Sequence, residues 1–141
     1  MTETAIQKAS NTPLTLQQLV KSDAIIKSAE RTLGDKGRQF LTSVLALANS
    51  SPKIAECDPM TTYNSCLTAA TLDLPVNQNL GFAYIVPYKN KGKMEAQFQM
   101  GWRGFVQLAM KTGQFQSLGT QAVYENELAG VDSFTGVPKF N

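Results

Sequence analysis

The hydrophobic period of this sequence changes once, near Gly81, and that change restricts the fold more than any other feature. Before Gly81, apolar residues recur at the spacing of a helix that buries one face, as Phe40, Val44 and Leu47 do. After Gly81, apolar and polar residues alternate, which is typical of half-buried strands. The sequence therefore predicts an α+β fold, with helices first and a small antiparallel sheet packed on them.

The helical part is predicted to extend over residues 15–73. Residues 38–48 carry a broad apolar stripe. A further helix should begin at Pro59, because the Asp58 carboxylate can accept the amide hydrogens of its first turn. Proline is also tolerated at the first helical position. Helical structure should then end at Leu74-Pro75.

The alternating part begins with a predicted β-hairpin. Its arms are residues 82–88 and 94–100, and residues 89–93 form the turn between them. The second arm has one apolar and one polar face. Aromatic side chains at alternate strand positions are usually buried. We therefore expect three of them in the core: Phe82, Tyr84 and Phe98.

A helix and a further strand are predicted after the hairpin. The helix should follow a strand-to-helix junction at residues 101–104 and end near Thr112, with Phe105 in the core. Alternation after it predicts a strand over 115–128, at Leu118, Thr120, Ala122 and Tyr124. The expected organisation is a flexible N-terminal tail (1–14), a single core domain (15–128, helical over 15–73 and hairpin, helix and strand over 81–128) and an irregular C-terminal end (129–141).

Positive charge is concentrated in the middle of the chain. The net charge is only +2, but residues 76–123 contain one carboxylate, Glu95, and the following basic side chains: Lys89, Lys91, Lys93, Arg103 and Lys111. A local basic surface is what binding of a polyanion requires. Solvated turns also often carry lysine, so the turn alone does not decide between a binding surface and an ordinary wet one.

The sequence offers few of the groups that enzymes use for catalysis. The chain has no histidine, so the usual general base at neutral pH is missing. It has no Walker-type phosphate loop. The two cysteines, Cys57 and Cys66, lack metal-binding spacing and are expected to be ordinary buried thiols. Gly101 and Gly104 form a glycine pair that fits either a phosphate-binding loop or a tight turn from strand to helix. We expect neither catalysis nor a cofactor.

Several polar and aromatic side chains near these cations are candidates for contacts with nucleic acid. Arg103, Gln107 and Lys111 recur at every fourth residue and share one helix face. Gln97 and Gln99 lie on the polar face of the second arm and could bond phosphates or bases. Tyr88 and Trp102, at the ends of elements, are the better candidates for stacking on bases. All of them also fit an ordinary solvent-facing surface.

Three stretches of the sequence carry a recognisable set of motifs: LPVNQNLGFAYIVPY (74–88), AQFQMGWRG (96–104) and LAMKTG (108–113). They contain an extended Tyr-x-x-Pro-Tyr strand, a glutamine-rich second strand, a Gly-aromatic-Arg-Gly junction and a helix that ends near glycine. Together these stretches resemble the RecT family of phage recombination proteins. Members of that family are longer, so the chain is expected to be a short or C-terminally truncated member.

The resemblance implies a function. RecT-like proteins bind single-stranded DNA, anneal complementary strands without ATP, and assemble into rings or helical filaments with a continuous basic groove. Their fold is a small sheet packed on helices. By position in the motif, Arg103, Lys111 and the lysines at 89, 91 and 93 become the preferred phosphate contacts. Gln97, Gln99, Tyr88 and Trp102 are further candidates. The implied partners are single-stranded DNA, the annealed duplex, other copies of the chain and a phage exonuclease.

Other functions remain open at this stage. The chain could be a protein-interaction or assembly module without DNA affinity, or an inactive truncated product. A small hydrolase or nuclease would need clustered carboxylates and a divalent metal, which the middle segment does not offer.

We see no signal peptide and no apolar run of about 20 residues that could span a bilayer. The expected location is therefore the cytoplasm of a bacterial host, away from membranes.

Overall fold

A computed structural model describes residues 14–119 and 122–141, and the chain divides into two compact units. The first unit ends at Leu108, and the second extends from Ala109 to Asn141. Apart from Leu14, the predicted N-terminal tail lies outside the described residues. Thr120, which belongs to the predicted strand over 115–128, also lies outside them.

Five helices form the N-terminal part of the first unit. The Thr15 side chain caps the first of them. Asp58 caps the fifth, because its Oδ1 accepts the amides of Met60 and Thr61, both at 3.0 Å. The predicted cap at Asp58 and helix start at Pro59 are thus confirmed. The helices are α1 (Leu16–Val20), α2 (Asp23–Leu33), α3 (Gly37–Ser50), α4 (Pro52–Ala55) and α5 (Pro59–Thr71).

The core of this unit is built around α3. Its predicted apolar stripe is confirmed, since Phe40, Val44 and Leu47 are buried. Phe40 meets Tyr63 of α5 edge to face, with the ring centroids 5.9 Å apart. Such edge contacts place the positive rim of one ring against the negative face of the other. The contact joins α3 to α5, which in turn supports the sheet.

Tyr63 carries a polar atom that the core does not satisfy. Its side chain is buried, and its hydroxyl has no hydrogen-bond partner among the described residues. A buried unpaired hydroxyl costs stability that a hydrogen atom in its place would not. We expect Tyr63→Phe to raise the free energy of unfolding by about 1 kcal/mol, measured by urea denaturation. Tyr88→Phe, which removes an exposed and bonded hydroxyl, is the control and should give no gain.

The predicted hairpin is confirmed. Strand β1 (Ala83–Asn90) pairs with β2 (Lys93–Met100) in antiparallel register. The two residues between them, Lys91 and Gly92, have φ of 45° and 87°. Positive φ at both positions is typical of the mirror-image turns that match the twist of a hairpin. The turn is therefore shorter than the five residues expected, and Lys89 and Lys93 belong to the strands.

The register of the hairpin decides which face is buried. Ile85 lies opposite Phe98, and Tyr84 lies opposite Gln99. Ala83 and Ile85 are at most 1% exposed, so they define the inner face, which packs on α5. The expectation that Tyr84 is in the core is wrong, since 39% of its surface is exposed. Phe82 and Phe98 are half-buried.

Both edges of the hairpin carry hydrogen bonds from outside the sheet. At the β2 edge, the Ala96 amide donates to Thr61 Oγ1 (3.1 Å), and the Ala96 carbonyl accepts from Ser65 Oγ (2.9 Å). At the β1 edge, Gln78 Nε2 donates to the Ile85 carbonyl at 3.0 Å. Pro87, two residues further, has no N–H to offer. Hydroxyls of α5 thus fix the position of the sheet on the helices.

Helix α6 (Trp102–Lys111) follows β2 directly, and the boundary between the two units falls inside it. The prediction that Phe105 is buried is wrong, because 63% of its surface is exposed. Gly104 is instead the buried residue of this helix. The helix approaches the sheet through that glycine, so the larger apolar residue beside it points away from the core.

The second unit contains a small hairpin. Strand β3 (Leu128–Val131) pairs with β4 (Pro138–Phe140) in a separate two-stranded sheet. The α+β class is confirmed, but the further strand begins at Leu128 and not at Phe115. Of its described residues, those at 115–119 are exposed. An alternating pattern specifies a strand only where one face is buried, and this segment buries neither.

Asp132 closes the turn of this second hairpin. Its carboxylate accepts the amides of Thr135 and Phe134, both at 3.0 Å, and pairs with Lys139 Nζ at 3.0 Å. Hydrogen bonds from Thr135, Lys139 and Phe134 lower the pKa of Asp132 to about 2. All three interactions favour the ionised form, so the turn is held by a carboxylate at neutral pH.

Candidate nucleic-acid interface

The lysines at the turn of the first hairpin are exposed but do not share one face. Lys91 lies in the turn itself. Lys89 has the strand parity of Ile85 and belongs to the inner face, whereas Lys93 has the parity of Gln97 and belongs to the outer face. Three lysines within five residues therefore surround the tip of the hairpin and do not form one track.

The outer face of the hairpin brings several of the predicted residues together. Gln97 and Gln99 are exposed on β2, as expected, and lie opposite Val86 and Tyr84. Tyr88 is also on this face and lies opposite Glu95. The sequence prediction missed Tyr84 as a member of this face. Tyr84 and Tyr88 lie an even number of residues apart and so share a face, but which face of β1 is exposed follows only from its pairing with β2.

A carboxylate is fixed at the tip end of the outer face. The Tyr88 hydroxyl donates to Glu95 Oε2 at 2.8 Å, and Asn90 Nδ2 donates to the same atom at 3.1 Å. These two hydrogen bonds lower the pKa of Glu95 below its ordinary value, and the bond to Glu95 raises the pKa of Tyr88. Glu95 therefore carries a negative charge on the outer face at neutral pH.

A second group of candidates meets at the opposite end of the hairpin from its turn. Arg103 Cζ lies 5.6 Å from the centroid of the Trp102 ring, within the range of a cation–π contact. A Cβ built at Gly81 would lie 3.5 Å from both Arg103 Cδ and Tyr84 Oη, so these two side chains converge above that glycine. We call the following four exposed residues the open-end cluster: Tyr84, Gln99, Trp102 and Arg103.

Two predicted residues on one face of α6 are bonded to the segment that precedes the hairpin. Arg103 Nη1 donates to the Leu80 carbonyl at 3.2 Å, and Gln107 Nε2 donates to the Asp73 carbonyl at 3.1 Å. Both side chains thus hold the segment between α5 and β1. Lys111, the third predicted residue of this face, is exposed and belongs to the second unit.

The glycine pair at the start of α6 is explained by close packing. A Cβ at Gly101 would lie 2.1 Å from the Gly81 carbonyl oxygen, and a Cβ at Gly104 would lie 2.4 Å from the Phe82 carbonyl oxygen. Of the two interpretations left open by the sequence, these distances favour the tight turn from strand to helix. The turn brings the start of α6 against residues 81–82, immediately before β1, and so positions Trp102 and Arg103.

The remaining cavities and reactive groups lie elsewhere. A cleft of about 670 Å³ between α3 and residues 75–79 is lined by uncharged residues. Cys57 and Cys66 are buried free thiols, as expected, and burial raises the pKa of Cys66 to about 12. Within residues 14–119 and 122–141, no three acidic, cysteine or histidine side chains are placed to hold a metal ion. No helix in these ranges is long and apolar enough to cross a membrane.

Comparison with known proteins agrees with the resemblance noted in the sequence. YqaK of Bacillus subtilis (strain 168), an uncharacterised protein, is 42% identical over 127 residues, which cover 86% of this chain and 43% of YqaK. Protein RecT of Escherichia coli (strain K12) is 34% identical over 80 residues, which cover 54% of this chain and 30% of that protein. The chain thus spans less than half the length of either relative. The model of the RecT family matches residues 38–140, and the chain belongs to that family.

Proposed function

We propose that this chain binds single-stranded DNA and promotes annealing of complementary strands in homologous recombination. Membership of the RecT family supports this function. The observation that carries it is the placement of exposed cations and exposed aromatic and amide groups along one hairpin. Single-strand binders combine these two elements, a basic track for the backbone and aromatic surfaces for the bases.

The two ends of the hairpin provide the proposed phosphate contacts. Lys89, Lys91 and Lys93 surround the tip, and Arg103 lies in the open-end cluster. Strands of eight residues separate these ends by roughly 25 Å. A strand of DNA that follows the hairpin therefore meets cations at both ends, with the amides of Gln97 and Gln99 between them. Lys111 is the proposed contact from the second unit.

The proposed activity needs neither ATP nor a catalytic group. Pairing of complementary strands is downhill, so the protein has only to hold strands in a form that can pair. Absence of histidine and of a Walker-type loop from the sequence fits this mechanism. We place the chain in the bacterial cytoplasm, where DNA is accessible, with a phage exonuclease as the candidate source of single strands.

Self-association is the second part of the proposal. Trp102 and Phe105 on α6 expose most of their surface, and Phe134 in the second unit is 98% exposed. In the described part of the second unit, every residue is exposed or half-buried. Extensive exposed apolar surface is typical of proteins that associate. We propose that copies of the chain form a ring or filament, and light scattering with and without DNA tests this.

The direct test of DNA binding and annealing is a fluorescence-anisotropy titration of a labelled single strand, followed by addition of its complement. We expect binding that weakens with salt, because each neutralised phosphate releases counterions. We also expect annealing faster than that of the free strands. A folded protein that binds no single strand at low salt would refute the proposal and favour an interaction module without DNA affinity.

Removing the tip lysines should reduce the salt dependence of binding. For the variant Lys89→Ala/Lys91→Ala/Lys93→Ala, we expect the slope of log affinity against log salt to fall by about 0.7 for each phosphate that the protein no longer neutralises, or about 2 in total. The control removes three exposed cations from the helical part (Lys21→Ala/Lys27→Ala/Arg31→Ala), with the same change in net charge. Equal slopes in the two variants would show that only overall charge matters and that the tip binds no phosphate.

A further inference from the structure

We propose that Tyr84 is a stacking surface for an unpaired nucleobase, and that the outer face of the hairpin receives bases while phosphates go to its two ends. This inference rests on the proposed function and assigns the class of ligand group bound by each part of the hairpin. It adds Tyr84, which the sequence places in the core, to the residues that contact DNA.

Tyr84 is available because the packing of β1 does not depend on it. The inner face is made by Ala83 and Ile85, which are at most 1% exposed, whereas 39% of Tyr84 is exposed. Its ring is nevertheless held in place: a Cβ at Gly101 would lie 3.0 Å from Tyr84 Cε2, so backbone supports the ring from one side. A ring that is exposed yet fixed loses little conformational entropy when a base stacks on it.

The neighbours of Tyr84 fit the other groups of a nucleotide. Gln99, directly across the strand pair, offers an amide that both donates and accepts, as base edges require. Arg103 lies beside Tyr84 above Gly81. Its guanidinium has five N–H donors, one of which is bonded to the Leu80 carbonyl. The others can reach a phosphate next to the stacked base.

The middle of the outer face favours bases over phosphates. Both charged residues of this face lie at its tip end: Glu95, which is fixed by Tyr88 and Asn90, and Lys93, whose charge has the opposite sign. Tyr84, Val86, Gln97 and Gln99 on the same face are uncharged. Bases are uncharged as well, and their flat faces are accessible only when they are unpaired. The outer face should therefore bind single strands in preference to duplex, because it contacts unpaired bases and does not depend on phosphate charge.

The test separates base contacts from phosphate contacts. Binding of the full chain is measured to a mixed-sequence single strand, to an abasic strand with the same number of phosphates, and to the duplex. We expect Tyr84→Ala to weaken binding of the normal strand about tenfold, and to leave both binding of the abasic strand and the salt slope unchanged. Tyr84→Leu, which keeps apolar bulk on the strand, should lose the same affinity. Tyr84→Phe, which keeps the ring, should retain it.

Tyr124→Ala is the matched control, because Tyr124 is 71% exposed in the second unit and should not alter binding. The inference is overturned if wild-type protein binds normal and abasic strands equally, or if the Ala and Leu variants at Tyr84 bind the normal strand as wild type does. Either result leaves salt-sensitive DNA binding intact. If the wild-type protein binds neither strand, the proposed function fails as well.

Discussion

Replacing Gly104 with alanine is expected to destabilise the first unit by about 3 kcal/mol. The new Cβ would lie 2.4 Å from the Phe82 carbonyl oxygen, 2.9 Å from Met100 Cγ and 3.3 Å from Leu74 Cδ1. The first of these atoms is backbone immediately before β1, so it cannot turn aside as a side chain can. Relief of the clash requires α6 to move away from β1. Thermal unfolding should show a loss of about 10 °C or more.

The sign of this effect is informative, because helix propensity alone predicts the opposite. Alanine inside a helix is more favourable than glycine by roughly 1 kcal/mol. Gly119→Ala is the control, since a Cβ there would meet nothing within 4 Å, and it should leave the melting temperature unchanged. A Gly104→Ala variant that melts higher than wild type would mean that α6 does not approach the sheet as closely as described.

Truncation of Ile85 to alanine should have an effect of similar size, a loss of about 3 kcal/mol in the free energy of unfolding. Ile85 is 1% exposed and lies on the inner face of the hairpin, against α5. Removing its three terminal carbon atoms leaves a cavity that the hairpin cannot collapse to fill, since Thr61 and Ser65 hold β2 to α5 by hydrogen bonds. Urea denaturation followed by far-ultraviolet circular dichroism measures the loss.

The neighbouring Val86 provides the comparison for Ile85, because it is half-buried and lies on the outer face. Val86→Ala should cost clearly less than Ile85→Ala. If the two costs were reversed, the two faces of β1 would be exchanged, and Tyr84 would lie in the core after all. The pair of variants therefore also checks the surface on which the base-stacking site is proposed.

The long periodic segments of the fold were predictable, and the faces of β1 were not. Helix α3 carries apolar residues on one face only, so its period determines both its type and its orientation. Strand β2 likewise alternates between apolar and polar residues, and its faces follow. Strand β1 is apolar at both parities, with Tyr84 and Val86 on one and Ala83 and Ile85 on the other. Its orientation is set by its register with β2, which is a tertiary property.

The residues of the candidate site also fall into two groups, those that the sequence predicts and those that only the structure reveals. The exposure of the tip lysines and of the amides of Gln97 and Gln99 follows from a local pattern, although Lys89 and Lys93 lie in the strands and not in the predicted turn. The bonds of Arg103 and Gln107 to the segment at 73–80 span more than 20 residues of sequence, and no local pattern contains them. Phe105 shows the same limit, since the rotation of α6 depends on the close approach of Gly104 to β1.

The hydrogen bonds at the edges of the hairpin bear on solubility. An open strand edge is a template on which strands of other molecules can add, which leads to aggregation. Here Thr61 and Ser65 of α5 occupy the β2 edge at Ala96. At the β1 edge, Gln78 occupies the Ile85 carbonyl, and Pro87 has no N–H. If copies of the chain assemble on DNA as proposed, we expect these occupied edges to keep the hairpin from joining a cross-β fibre.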